Sequence, residues 1–271
     1  MHIPIRTIAG IDGTEAELTG YVIDRPSWRE PAPARPTVLI LPGGGYEMTS
    51  DREAEPIALK VLAMGYHAFV LRYSCAPSRY PVALVEAAEA MRLIRTHAGD
   101  WGVDPERIAV MGFSAGGHLA THLATQWNGV LPREHGFEAA DIRPNALILS
   151  YPVISSGEYA HRGSFDALLG ERRNDAAMLE AVSLERHVTA DMPPTFVWHT
   201  VTDQLVPVEN TLALVAAARR AGVPIEAHLF TSGPHGLSLG TEETAVGDVP
   251  PEECVQIWPD LLNRWLARVF G

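Results

Sequence analysis

The sequence predicts an α/β protein with a mostly parallel sheet covered by helices on both faces. Two observations predict it. From Thr37 onward, short apolar runs rich in β-forming residues alternate with longer stretches of helical periodicity. Alternation of this kind builds parallel strands joined by helical crossovers, with both faces of the sheet buried. No internal repeat or low-complexity segment interrupts the pattern.

The elements follow in order. TVLIL (37–41) is the first strand of the alternating part, reached from ELTGYVID through RPSWREPAPARP, a stiff proline-rich connection and not a linker between domains. Ser50 and Glu53 stand at capping-box spacing ahead of REAEPIALKVLAMG, where Gly65 is the expected C-terminal stop. HAFVLRY is the next strand. Pro81 opens the helix PVALVEAAEAMRLIRTHA, with Leu84, Ala88 and Met91 beside Ala87, Ala90 and Ile94 as its apolar stripe. RIAVMGF leads into a helix at Ser114, and ALILSY, TFVWHT and IEAHLF complete the strands. VPVENTLALVAAARRAG, ended by Gly222, joins the last two. EECVQIWPDLLNRWLARVF is the final helix, which Pro259 is expected to break or kink.

Size and composition set limits. A chain of 271 residues can bury a substantial core, and the expectation is one domain over residues 1–271. The net charge of −12, from 33 acidic and 21 basic side chains, argues against a nucleic acid or an anionic membrane as partner. Two cysteines, Cys75 and Cys254, are too few for a disulfide framework or a thiolate metal cluster. With no apolar run behind a basic start and none long enough to span a bilayer, the expectation is a soluble cytoplasmic protein.

The chemistry centres on Gly112-Phe113-Ser114-Ala115-Gly116, a G-x-S-x-G pattern between strand and helix. Glycines there relieve crowding at a sharp turn that exposes the serine hydroxyl as a nucleophile; otherwise they make only a tight turn. A hydroxyl needs a base within hydrogen-bond reach, and the base needs an orienting carboxylate. Asp203 follows TFVWHT and His235 follows IEAHLF, both just past the C-terminal ends of strands, where sites of open α/β sheets gather. Among eleven histidines, His235 is distinguished by Gly233, Pro234 and Gly236 around it. His118, one helical turn beyond Ser114, reads as a supporting or structural residue, and His199 as a satisfied core or edge histidine. Asp191 precedes its strand and so lies at the wrong end of the sheet, whereas Asp203 has a helix cap as its other role. Gly43, Gly44 and Gly45, directly after TVLIL, offer backbone N–H groups for an oxyanion together with that of Ala115.

These residues carry a resemblance. LPGGGYEMTSDREAEPIA, MGFSAGGHLA and PHGLSLG, with the glycine loop, elbow and late histidine spread from Thr37 to Gly236, resemble the α/β-hydrolase superfamily. Within its esterase/lipase group they are similar to the compact, acetyl-xylan-esterase-like carbohydrate acetyl esterases. The resemblance implies a central sheet of about eight strands without a large cap domain. It also implies Ser114, Asp203 and His235 as the triad and Gly44, Gly45 and Ala115 as oxyanion donors. Pro42 stands where many relatives carry histidine, which leaves the backbone donors in place but bears on loop orientation.

Residues 152–194 are too few for a deep lipid-sheltering lid, so an open site and a short acyl group, acetate first, are expected. Tyr46, Tyr80, Tyr151 and His161 are candidate rim contacts, with packing as the alternative for each. The expected partner is a small ester, an acetylated sugar in particular, and no metal or organic cofactor is implied. A peptidase of the same fold and a non-catalytic small-molecule receptor are the alternatives. The apolar C-terminal helix suits either its own sheet or a second copy of the chain, which leaves a homo-oligomer open.

Overall fold

Successive strand residues face opposite sides of a sheet, so a strand apolar at every position must be covered twice. The computed structural model describes residues 1–25, 28, 32–247 and 250–271. Its strands are β1 (Ile5–Ala9), β2 (Glu15–Tyr21), β3 (Arg35–Leu41), β4 (His67–Arg72), β5 (Val103–Phe113), β6 (Ala146–Ser150), β7 (Thr195–Thr200) and β8 (Ile225–Phe230). They form one eight-stranded sheet in the order β1-β2-β4-β3-β5-β6-β7-β8. β1 and β2 pair antiparallel, as do β2 and β4, and every other pair is parallel.

The register explains the two cores. Val70, Ile40, Met111, Ile148 and Phe196 are successive cross-strand partners and belong to one buried cluster. One residue earlier, Phe69, Leu39, Val110 and Leu147 form a matching row in the other. Each such side chain withdrawn from water contributes about 1.5–3 kcal/mol.

The helices are α1 (Glu55–Ala63), α2 (Val82–Thr96), α3 (Ala98–Trp101), α4 (Ser114–Gln126), α5 (Val130–His135), α6 (Ala139–Ile142), α7 (Arg162–Leu169), α8 (Ala176–Ala181), α9 (Glu209–Ala221) and α10 (Trp258–Phe270). α2, α4 and α9 bury their apolar stripes against the second row, and α1 and α10 against the first. Among the described residues, none of these helices is long and apolar enough to cross a membrane.

Two local expectations are corrected. Ser50 makes no side-chain cap, α1 starts only at Glu55, and both oxygens of the Glu53 side chain are engaged elsewhere, by Gly43 N–H and by the Tyr151 hydroxyl. The last helix starts only at Trp258 and not at Glu252 as expected, so Pro259 does not interrupt it but lies in its first turn, where a missing N–H removes no helical bond. α10 packs on its own sheet through Trp258, Leu262, Trp265 and Leu266. Of the proline-rich run read as a stiff connection, residues 26, 27 and 29–31 lie outside the described residues. Residues 152–194 form α7, α8 and short single turns.

Candidate active site

Strand β5 runs directly into helix α4, and Ser114 at the junction has φ +52°, a left-handed conformation costly for a side-chain-bearing residue. The flanking glycines make the junction sterically accessible. A Cβ on Gly112 would overlap the Gly116 carbonyl, and one on Gly116 would overlap the carbonyl oxygens of Leu41 and Pro42. The elbow and the end of β3 therefore touch backbone to backbone.

Ser114 Oγ lies 2.7 Å from His235 Nε2, and His235 Nδ1 lies 2.7 Å from Asp203 Oδ2. These three residues, separated by up to 121 positions, meet at the C-terminal edge of the sheet. Asp203 is buried. Its Oδ1 accepts the N–H groups of Leu205 and Val206, each at 2.9 Å, which frees Oδ2 for His235. The carboxylate thus holds a local turn and faces the imidazole at once; it does not cap α9, which begins later.

Burial pushes the Asp203 carboxyl up. Hydrogen bonds from His199, His235 and the Val206 N–H outweigh burial and hold it well below the usual carboxylate range. His199 is more than a packing residue here, since its Nε2 sits 3.3 Å from Asp203 Oδ2 and 2.9 Å from the Val206 carbonyl. An ionised Asp203 makes His235 Nδ1 the donor, leaving Nε2 to accept from the Ser114 hydroxyl.

The glycine loop lies across the cleft. Gly44 and Gly45 line it with Ser114, at φ +128° and +68°. A Cβ on Gly44 would overlap the Met48 carbonyl, so only glycine fits there. Gly43 is not a free donor as expected, because its N–H donates to Glu53 Oε2 at 2.7 Å. Ala115 occupies the first turn of α4, whose N–H groups have no carbonyl four residues back and carry the positive end of the helix dipole. Pro42 is anchored through its carbonyl, which accepts the Tyr73 hydroxyl at 2.7 Å.

The cleft is open, about 460 Å³, with Glu47, Ser50, Arg52, Glu53 and His161 as polar groups on its walls. Met48 and Leu205, both largely exposed, add apolar surface. His161 alone of the four candidate rim residues lines this cleft. Burial lowers its pKa, with the neighbouring His235 a lesser cause. Its Nδ1 meets Ser164 Oγ at 2.8 Å.

The three tyrosines are corrected to packing roles. Tyr46 is buried with its hydroxyl 2.8 Å from His118 Nδ1, and His118 Nε2 donates to the Val182 carbonyl. Tyr80 stacks on His122 with ring centroids 5.3 Å apart. Tyr151 is buried with its hydroxyl on Glu53. Tyr46 and Tyr151 bury the ring and give the hydroxyl a partner inside, the usual solution for buried tyrosine, whereas the half-buried Tyr80 is held through its ring. Glu53, read from its spacing as a cap, His199, read as a core or edge histidine, and Arg52 are neighbours of the site that the sequence did not assign to it.

The sheet, its strand order and the strand-to-helix elbow make this an α/β hydrolase by fold. Residues 26–217 match the BD-FAE family, and the chain belongs to it. An acetylxylan esterase of Xylanibacter ruminicola is 29% identical over 85% of this chain and 45% of its own length. The crystal structure of an acetyl ester-xyloside bifunctional hydrolase from Caldicellulosiruptor lactoaceticus superposes with a TM-score of 0.82 at 36% identity, covering 94% of this chain and 88% of that one. The carboxylesterase Cest-2923 of Lactobacillus plantarum gives 0.87 at 33% identity, covering 99% and 98%. The chain spans a third to a half of the length of the curated relatives it matches.

Proposed function

We propose that this protein is a serine carboxylesterase that removes short acyl groups, acetyl above all, from carbohydrate esters. The observation that carries the proposal is the unbroken chain from Ser114 Oγ through the His235 imidazole to Asp203, with both links at 2.7 Å beside an open cleft. Ser114 Oγ attacks the ester carbonyl carbon while His235 Nε2 takes its proton. The N–H groups of Gly44, Gly45 and Ala115 receive the oxyanion, each such donor being worth roughly 10²–10³ in rate. Collapse breaks the bond to the alcohol, which leaves with the proton from His235 and an acyl-Ser114 behind it. Water, deprotonated by His235, then attacks the acyl carbon; the carboxylate departs and Ser114 regains its proton.

The acyl preference rests on the open cleft and on the short helices, with no large cap, between β6 and β7. The carbohydrate alcohol is supported by the polar walls of the cleft and by the names of the acetylxylan esterase and acetyl ester-xyloside hydrolase relatives. Packing of α10 onto the same sheet supports treating residues 1–271 as one catalytic domain. Turnover of p-nitrophenyl acetate, butyrate and octanoate, together with acetate release from a panel of acetylated sugars, tests the proposal. Acetyl esters are expected to be the best substrates, with acetate released from at least one acetylated sugar. Octanoate turned over far faster than acetate, or no acetate from any sugar, would overturn the substrate class.

A further inference from the structure

Among the described residues, four other than glycine have positive φ: Tyr46, Ser114, Tyr151 and Ser238. Strain of this kind persists only where the surroundings over-determine it. Ser114 is the elbow. Tyr151, at the end of β6, and Ser238, on the loop that carries His235, are joined directly, with Ser238 N–H donating to the Tyr151 hydroxyl at 2.8 Å. That hydroxyl donates in turn to Glu53 Oε1 at 2.7 Å, and Glu53 Oε2 accepts the Gly43 N–H at 2.7 Å. One continuous chain therefore links the histidine loop to the glycine loop through a buried phenol and a buried carboxylate.

Glu53 is only 3% exposed, and no cation forms a salt bridge with it among the described residues. A buried carboxylate held by hydrogen bonds alone is a poor way to stabilise a fold, since apolar side chains of similar size do as well or better. Its partners are instead the glycine loop itself, through Gly43, and Tyr151, whose hydroxyl bonds the histidine loop at Ser238. The same pair is reinforced beside it: Ser238 Oγ donates to the Arg52 carbonyl at 2.7 Å, and the Arg52 guanidinium donates to the Gly236 carbonyl at 2.6 Å. The Tyr151 ring also packs edge-on against His235, with centroids 5.1 Å apart.

We propose that Glu53 and Tyr151 are a positioning pair that fixes the distance between the oxyanion-binding amides and His235, a role that rests on the esterase reading above. Engaging the Gly43 N–H holds the loop so that Gly44 and Gly45 face the cleft. Engaging Ser238 N–H holds His235 against Ser114. Neither residue supplies a group to the reacting atoms, so their loss acts on the transition state and not on substrate capture.

The test compares Tyr151→Phe, Glu53→Gln and the double variant with wild-type protein on p-nitrophenyl acetate, with rates divided by the serine titrated to completion with a fluorophosphonate. Each single change is expected to lower kcat by roughly 10- to 100-fold, the scale of a small misplacement of catalytic groups. KM is expected to stay within about twofold, because Glu53 and Tyr151 are buried with both carboxylate oxygens engaged inside the protein. The double variant should fall no further than the weaker single one, since both break one chain. Unchanged kcat in either single variant, or losses that multiply in the double, would overturn the pair. Should Tyr151→Phe fail to fold, Glu53→Gln decides alone, because it keeps the shape and replaces one acceptor. Inactive wild-type protein would instead defeat the esterase reading, so the two failures are distinguishable.

Discussion

Ser114→Ala is expected to lower kcat for p-nitrophenyl acetate by about 10⁶-fold, the scale seen when a serine hydrolase loses its nucleophile. The physical basis is that the hydroxyl alone has both reach and activation: it is 2.7 Å from an imidazole that can take its proton, on a turn that presents it to the cleft. The variant keeps Cβ and hence the steric situation of the +52° backbone, and it deletes one oxygen from a packed but not load-carrying position. Thermal unfolding should therefore stay near the wild-type midpoint while activity disappears. Full activity in a correctly folded variant would remove Ser114 from the mechanism.

Asp203→Asn is expected to cost about 10⁴ in kcat, as in triads where the same change reverses the histidine tautomer. Asparagine can keep one oxygen on the N–H groups of Leu205 and Val206, so the turn survives. Its amide must then face His235 Nδ1 as a donor, which makes Nδ1 the acceptor and leaves Nε2 carrying the proton. Such an imidazole cannot accept from Ser114. The pH dependence has a definite sign. The folded-state pKa of Asp203 is depressed, so the stability it contributes is fully present above the ordinary carboxylate value of about 3.9 and is lost as pH falls below it. Asp203 accordingly stays ionised through the neutral range. Wild-type rates in the asparagine variant, measured by steady-state kinetics at neutral pH, would contradict this role.

The most legible parts of the fold are those whose residues face one environment, although IEAHLF reads as a strand too and its burial varies along β8. β3 to β7 are buried on both sides, so TVLIL or ALILS reads as strand without reference to anything distant. β1 and β2 form the antiparallel edge, with every residue of IRTIA but Ile8 exposed and burial alternating along the first half of EAELTGY, and such segments resemble ordinary polar surface. Pro259 was judged by its effect inside a helix, but the helix boundary is set by Trp258, which stacks on Trp198 and bonds the Ser238 carbonyl. Local spacing drew Glu53 toward a cap, whereas its partners Gly43 and Tyr151 are ten and 98 positions away.

Within the candidate site, the convergence of Ser114, Asp203 and His235 beside Gly44 and Gly45 was legible because turn geometry and strand ends constrain them locally, whereas the Gly43 N–H is taken by Glu53. The tyrosines were not, since a phenol on a rim and a phenol in a core have the same sequence signature. Tyr46 is drawn inward by His118, and Tyr80 by His122. His199 falls in the same class: its contact with Asp203 exists only once β7 and the following turn have folded.

The most direct measurement is the location of a covalent fluorophosphonate adduct by peptide mass mapping of the intact chain. A single adduct on the Ser114 hydroxyl, formed slowly or not at all when His235 is replaced by alanine, is the result expected. An adduct on another side chain, or equal labelling with and without the imidazole, would contradict the account.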